Sequence, residues 1–182
     1  MKLIGICGLA RCGKDTFFEI SKSILREKGS EAKKFAFADS LKLECDEVLV
    51  RYTNISSFTE KDEEKKMIRP LLVAYGTNIR RKLNENCWIE KIEEEVLENL
   101  NLGKVVFITD VRFENEIDWI HRMGGKTVHI TREGTAPPNL DEEINNPILK
   151  RKSNIRITCN NFPDKYIDKL RNTVELALQS IL

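Results

Sequence analysis

The reading of this chain turns on Met1 to Thr16, MKLIGICGLARCGKDT. The run from Lys2 to Cys7 is short and apolar, the kind that forms a buried parallel strand. It feeds into Gly8, four variable residues, Gly13 and Lys14, the spacing of a phosphate-binding loop. Small residues there let successive backbone N–H groups converge on phosphate oxygens, and the lysine supplies mobile positive charge at the mouth of the next helix. A plain glycine turn would not need the lysine. One position departs from the pattern: a Ser or Thr hydroxyl should follow the lysine and reach magnesium, but Asp15 stands there and the hydroxyl comes at Thr16. Aspartate can take magnesium directly or through water, yet it sets negative charge beside a triphosphate unless a cation is present.

Outward from this loop, apolar spacing predicts a first helix from Thr16 to Lys28, with Gly29 as its stop. KKFAFA, Lys33 to Ala38, reads as a second strand with Asp39 at its carboxyl end, where open α/β sheets place ligands. A helix from Ser40 to Val50 follows, carrying Lys42. Residues 51–84 break the rhythm. Thr59 and Asp62 have the form of a capping box, Pro70 interrupts or restarts the helix, and the region reads as a small helical lobe inserted between sheet elements. Its Arg69, Arg80 and Arg81 are either ligands of an anion or solvated surface charge.

Residues 86–100 are helical, and KVVFIT, Lys104 to Thr109, is a buried strand. Asp110 lies immediately beyond it, placed to reach a metal at the phosphate loop, and Arg112 follows. A strand-end aspartate alone would equally be a helix cap. Further on come a helix from Phe113 to Met123, a strand from Lys126 to Thr131 in which His129 is structural, and a strand from Ile155 to Cys159. Between the last two, Arg132 to Ser153 reads as a long surface excursion, a candidate flap over the nucleotide with Arg132 as its best phosphate contact. Pro163 starts a last helix whose apolar face finishes the core or contributes to a homodimer.

The expected architecture is a three-layer α/β domain with about five parallel strands and two insertions that could close over ligands. Residues 1–182 form one domain, with 1–38, 85–131 and 153–182 as its core, 39–84 as an acceptor-binding helical lobe and 132–152 as a lid or flap.

Composition supports a globular protein and excludes several classes. Of 182 residues, 32% are charged and 41% apolar, and 30 Lys plus Arg against 29 Asp plus Glu leave a formal charge of +1. That balance gives no argument for nucleic acid or an anionic membrane as partner. The five cysteines are odd in number with no C-x-x-C pair, so they read as reduced thiols of a cytoplasmic protein. Cys7 and Cys159 are expected in the core, and Cys12, within the loop, is a candidate for alkylation. Two histidines and no cysteine cluster argue against zinc. The start passes straight into the loop without a basic leader or long apolar segment, so neither secretion nor membrane insertion is expected.

Phosphoryl transfer needs charge neutralisation and in-line positioning more than a covalent nucleophile. Here Lys14 and the loop N–H groups would hold the β- and γ-phosphates of ATP, and Asp15, Thr16 or Asp110 would help to hold Mg2+. Lobe arginines would grip an anionic acceptor, and flap arginines would stabilise the transferring group. An acceptor phosphate is already nucleophilic near neutral pH, so no dedicated base is required.

The chain also resembles the deoxynucleoside monophosphate kinases of tailed bacteriophages, a divergent branch of the P-loop nucleoside monophosphate kinases. The resemblance rests on GLARCGKDT (Gly8 to Thr16), FAFADSLK (Phe35 to Lys42), the Arg69, Gly76 and Arg80 pattern before Trp88, ITDVRFENE (Ile108 to Glu116) and GGKTVHITRE (Gly124 to Glu133). The GKD variant is that family's own form. The resemblance implies ATP- and Mg2+-dependent conversion of a deoxynucleoside monophosphate to its diphosphate for phage DNA synthesis in the host cytoplasm. It places Gly8, Arg11, Gly13, Lys14, Asp15 and Thr16 at ATP, and Asp39, Lys42, Arg69, Arg80 and Trp88 at the acceptor. Asp110, Arg112, Lys14 and Arg132 then make up the transfer site, with Asp15, Thr16 and Asp110 toward the metal. Trp88 fits a base pocket and a packing role equally. Base specificity does not carry over, and LDEEINN matches the family less clearly. Two other readings stay open: a kinase of another phosphorylated metabolite, such as phosphomevalonate or dephospho-coenzyme A, and a non-kinase P-loop ATPase or nucleotide-dependent binding protein.

Overall fold

The run after Lys2 forms β1 (Leu3–Cys7), in which every residue is buried. The structure, a computed structural model, describes residues 2–159 and 167–182. With β2 (Ala32–Phe35), β3 (Val105–Val111), β4 (Lys126–Arg132) and β5 (Ile155–Cys159), β1 builds a parallel sheet in the order β2-β3-β1-β4-β5. Alternate residues of these strands serve opposite faces. Ile4, Ile6, Val105, Phe107, Val128 and Ile130 join a core with Phe17, Phe18 and Ile24 of α1 (Lys14–Glu27) and Val174, Ala177 and Leu178 of α7 (Ile167–Ile181). On the other face, a Cβ on Gly5 would meet Ile120 of α5 (Glu114–Arg122) at 2.5 Å, so β1 stays glycine where that helix crosses it. Helices on both faces of a buried parallel sheet make the three layers expected from the sequence.

Because α1 and α5 leave the sheet on opposite faces, the carboxyl ends of the neighbouring strands β1 and β3 form a topological switch point, where open α/β sheets bind ligands. The register sharpens this. Gly5 pairs with Ile108, but Cys7 pairs with Val111, so β3 carries an extra residue in the Thr109–Asp110 stretch. This bulge lets β3 run through Asp110 to Val111, where the sequence reading ended it at Thr109.

Two compact units emerge: residues 1–35 with 95–182, and residues 36–94. The second comprises α2 (Phe37–Thr53), α3 (Asp62–Val73), a π-helix (Ala74–Arg81) and the first half of α4 (Cys87–Asn101). Its small core joins Cys45, Leu49 and Ile68, with Leu41, Ile55, Leu72 and Tyr75 packed against them.

Several expected boundaries shift. The alternation in KKFAFA suggested strand through Ala38, but β2 ends at Phe35, Ala36 is the extended residue before a helix, and Asp39 lies in the first turn of α2. Thr59 does not cap α3. Lys61 occupies that position, and the Thr59 hydroxyl instead bonds the Glu64 carboxylate. Pro70 sits inside α3, and the helical path continues into the π-helix.

The largest difference is at residues 140–152. In place of an irregular excursion they form α6 (Leu140–Lys152), whose N-cap Asn139 accepts a hydrogen bond from the Glu142 backbone N–H through Oδ1 at 2.8 Å. The prolines at 137 and 138 precede the cap and disturb nothing, while Pro147 lies inside the helix. Pro163, expected to start the last helix, lies outside the described residues. No helix among the described residues is long and apolar enough to cross a membrane.

Candidate active site

The loop after β1 closes on itself. Gly8 has φ 137°, and a Cβ there would stand 2.3 Å from the Ile130 carbonyl oxygen of β4, so the position admits only glycine. Arg11 takes φ 62°, and Gly13, with φ 106°, is the residue from which α1 starts. Lys14 Nζ donates to the carbonyls of Gly8 and Leu9, both at 2.7 Å, spanning the loop from inside. Burial, with Arg112 adding to it, lowers the Lys14 ammonium from its usual range, while Cys12, Glu142 and Asp110 oppose the shift. Cys12 is only 1% exposed and its thiol is pushed up by burial, which corrects the expectation that it is open to alkylation.

At the end of β3, Asp110 is half-buried. Arg112 is held at both ends. Glu116, 1% exposed, accepts the backbone N–H groups of Arg112 and Phe113 at 2.7 and 3.0 Å through Oε2. The Arg112 guanidinium meets Glu142 Oε1 at 2.7 Å, with the Glu142 side chain 7% exposed. Gly8, Leu9, Arg112, Glu142 and Asn146 line a small cleft beside the loop. His129 is structural as expected: it is buried and bonds Asn146 Oδ1 through Nε2 at 2.9 Å. Arg132 is exposed at the end of β4, and its Nη1 reaches the Arg11 carbonyl at 3.4 Å.

Among the described residues no three His, Cys, Asp or Glu side chains cluster to hold a metal by themselves. Phosphate-bound Mg2+ does not require such a cage, since it keeps waters and takes one or two carboxylates. Asp110, a hard oxygen donor near Lys14, fits that chemistry. Asp15 is 83% exposed at its side chain and pairs with Lys34 at 2.8 Å, and Thr16 is exposed. Both are open to solvent at the first turn of α1.

In the second unit, Asp39 and Lys42 pair at 3.5 Å one turn apart on α2, with Lys42 Nζ lying 5.2 Å from the centre of the Phe58 ring. Arg69 is exposed on α3. Arg80 pairs with Glu44 at 3.3 Å and lies 5.5 Å from the centre of the Trp88 ring. Trp88 is 3% exposed and its Nε1 donates to Gly76 O at 3.4 Å, so packing is the role its environment gives it.

Sequence reasoning missed three carboxylates: Glu116, Glu142 and Glu44. The Asn139-x-x-Glu142 spacing is a readable capping signal, hidden by the flanking prolines. Glu116 follows the strand end at a spacing typical of any helix first turn, and nothing local marks Glu44.

Comparison with known proteins gives the family. The profile of the deoxynucleotide monophosphate kinase family matches residues 44–174. This chain belongs to the deoxynucleotide monophosphate kinase family. A protein of Acanthamoeba polyphaga mimivirus, provisionally named as such a kinase, is 31% identical over 153 residues, covering 75% of this chain and 77% of that one. An uncharacterized protein, ORF77, of Ictalurid herpesvirus 1 (strain Auburn) is 39% identical over 78 residues, 42% of this chain and 34% of its own length. Among solved structures, dephospho-CoA kinase from Campylobacter jejuni aligns with TM-score 0.54 at 17% identity over 98% of this chain and 96% of that one. A sugar kinase from Janibacter sp. HTCC2649 aligns with TM-score 0.50 at 14% identity, covering 98% and 94%. At such identities these two speak for the shared P-loop kinase fold alone. The deoxynucleotide monophosphate kinase family assignment makes the chain a nucleotide kinase, a phosphotransferase.

Proposed function

We propose that this kinase transfers the γ-phosphoryl group of ATP to a deoxynucleoside monophosphate with Mg2+ as cofactor, supplying diphosphates for viral DNA synthesis in the host cytoplasm. A phosphate oxygen of the monophosphate attacks the γ-phosphorus, the bond from that phosphorus to the β–γ bridging oxygen breaks, and its electron pair leaves with ADP. The observation that carries this reading is the gathering of Lys14, Asp110 and the Arg112–Glu142 pair around one carboxyl end of the sheet, at its topological switch point.

Each group has a role its environment suits. The loop from Gly8 to Thr16, Arg11 included, binds the ATP phosphates through backbone N–H groups at the start of α1. Lys14 leaves the Gly8 and Leu9 carbonyls to neutralise β- and γ-oxygens. Arg112, fixed by Glu116 and Glu142, offers its fork to the charge spread over the transferring group, and Arg132 adds positive charge from the loop's exposed side. Asp110, with Asp15 or Thr16, would hold Mg2+, which when bound neutralises phosphate charge. Asp39, Lys42, Arg69 and Arg80 serve the acceptor, with Trp88 supporting Arg80. A homodimer remains part of this proposal, its contact at the end of α7.

The test is a coupled ADP-release assay with ATP and Mg2+, run separately with dAMP, dGMP, dCMP, dTMP, hydroxymethyl-dCMP and the ribonucleotides. Release that depends on a deoxynucleotide, with the diphosphate identified as product, is the expected result. Turnover with none of the nucleotides by a protein that binds ATP would overturn the acceptor assignment.

A further inference from the structure

The second unit contains a side-chain cluster that no motif announces. Glu44, on α2, receives three donors: the Tyr75 hydroxyl at 2.8 Å, Arg80 Nη2 at 3.3 Å and Lys91 Nζ at 3.1 Å. Its side chain is 23% exposed, and Arg80, while pairing with Glu44, lies 5.5 Å from the centre of the buried Trp88 ring. Burial pushes the Glu44 carboxyl up, but the Tyr75, Lys91 and Arg80 contacts outweigh it and hold the group below its usual range.

The backbone beneath these contacts is the π-helix Ala74–Arg81. Tyr75 and Arg80 are five residues apart. At about 100° per residue an α-helix would turn them roughly 140° away from each other, whereas i→i+5 hydrogen bonding brings such a pair back toward one face. The widened turn is therefore what allows both to grip the same carboxylate. It also places Gly76 where a Cβ would stand 2.7 Å from Leu41, so the turn is seated closely on α2.

We infer that Glu44 is a positioning residue for acceptor binding: it fixes Arg80 against Trp88 so that the guanidinium meets the phosphate of the incoming monophosphate preoriented. The inference rests on the reading of Arg80 as an acceptor ligand. The chemistry is consistent. Arginine has five N–H donors, and Glu44 engages Arg80 through Nη2 only. Arg80 Nε is buried without a hydrogen-bond partner among the described residues. With Lys91 on the same carboxylate, one negative group is matched by two positive ones, so the cluster keeps a net attraction for phosphate. A half-open ion pair of this kind adds little to stability, and its value lies in cutting the rotamer entropy lost on binding.

The experiment compares Glu44→Ala, Glu44→Gln, Arg80→Ala and the double variant Glu44→Ala/Arg80→Ala by steady-state kinetics, using the deoxynucleotide that turns over fastest in the panel above. Thermal unfolding and circular dichroism check that each variant folds. Glu44→Ala is expected to raise KM for the monophosphate about tenfold, leaving KM for ATP and kcat within about threefold, and to add nothing in the Arg80→Ala background. Glu44→Gln, which keeps an acceptor oxygen, should show a smaller rise, and it decides the matter if Glu44→Ala does not fold. If Arg80→Ala leaves the acceptor KM unchanged, the acceptor reading of Arg80 falls and this inference with it. If Arg80→Ala raises that KM while folded Glu44 variants do not, or if the two effects add, the positioning role alone is overturned.

Discussion

Arg112 and Glu142 meet at 2.7 Å across the chain from the end of β3 to the first turn of α6, with the carboxylate buried and the guanidinium 41% exposed. The pair joins the strand-end arginine proposed for the transfer site to a helix that an eye on composition reads as a loop. Removing the carboxylate strands the arginine beside Lys14. Glu142→Ala is expected to destabilise the protein by about 1 kcal/mol, because the guanidinium left behind is 41% exposed and keeps much of its hydration, and to lower kcat. Glu142→Gln, retaining an acceptor, should fall between. Urea unfolding with parallel turnover measurements checks this; wild-type stability in Glu142→Ala would show that the pair carries no weight.

Gly8 and Gly13 both have positive φ, but their surroundings differ. A methyl at Gly8 collides with the Ile130 carbonyl at 2.3 Å and with Cys12 Sγ at 2.7 Å, whereas one at Gly13 meets nothing within 4 Å. Gly13→Ala should cost only the backbone strain of about 1–2 kcal/mol, while Gly8→Ala should cost more and abolish ATP binding, since backbone atoms of β4 would have to move. Thermal melts and ATP titrations of the two variants give the comparison, and equal effects would contradict it.

How much of this was legible follows from where the determining forces lie. β1 and the phosphate loop could be read directly, because a strand buried on both faces must be continuously apolar and a phosphate loop needs its glycines locally. Asp39 was misplaced because FAFA alternates like a strand, and only the end of pairing at Phe35 shows that α2 begins. The α6 helix was hidden because its stretch is rich in proline and polar residues, and the Asn139 cap that starts it is a single local contact. The π-helix had no local signal at all: its wide turn is sustained by Gly76 against Leu41 and by Glu44, contacts made between elements distant in sequence. At the candidate site the charged residues proposed to meet phosphate were legible from motif spacing, and the carboxylates paired with them, Glu116, Glu142 and Glu44, were not.

His129 should make the protein sensitive to mild acid. Its Nε2 faces Asn146 Oδ1 and its Nδ1 faces the Thr131 hydroxyl, an arrangement that suits the neutral ring. Burial lowers its pKa, with Lys150, Lys14 and Arg156 adding to the shift and the Asn146 bond opposing it. A base whose folded pKa lies below its unfolded value of 6.5 binds more protons when unfolded, so stability is full above about pH 6.5 and declines as pH falls toward the folded value. His121, also lowered chiefly by burial, contributes with the same sign. Denaturation midpoints between pH 8 and 5 are expected to fall on the acid side (about the histidine range), and His129→Gln should flatten that slope. An unchanged slope would place the acid sensitivity elsewhere.

Lys14 spans its own loop through two 2.7 Å bonds to carbonyls, contacts for which alanine has no donor. Lys14→Ala is expected to reduce kcat by roughly 10²–10³-fold, the scale of losing one preorganised charge-stabilising donor, while circular dichroism remains that of the wild type. Near-normal turnover by a folded variant would remove the loop from the chemistry.

Asp110 offers the sharpest test of the metal reading, because the bulge in β3 makes two outcomes separable. If the carboxylate serves only the local backbone where the register slips between Ile108 and Val111, Asp110→Asn should alter stability and leave the magnesium dependence of kcat untouched. If it helps to hold Mg2+ with the phosphates, the amide keeps the shape but loses the charge that a hard cation prefers. The expected result is then a magnesium activation curve moved to higher concentration, by about tenfold or more, with unfolding midpoints near wild type. Titrating MgCl2 at saturating ATP and deoxynucleotide, for wild type and Asp110→Asn side by side, distinguishes the two: coincident activation curves would assign Asp110 to the strand, and a displaced one to the metal.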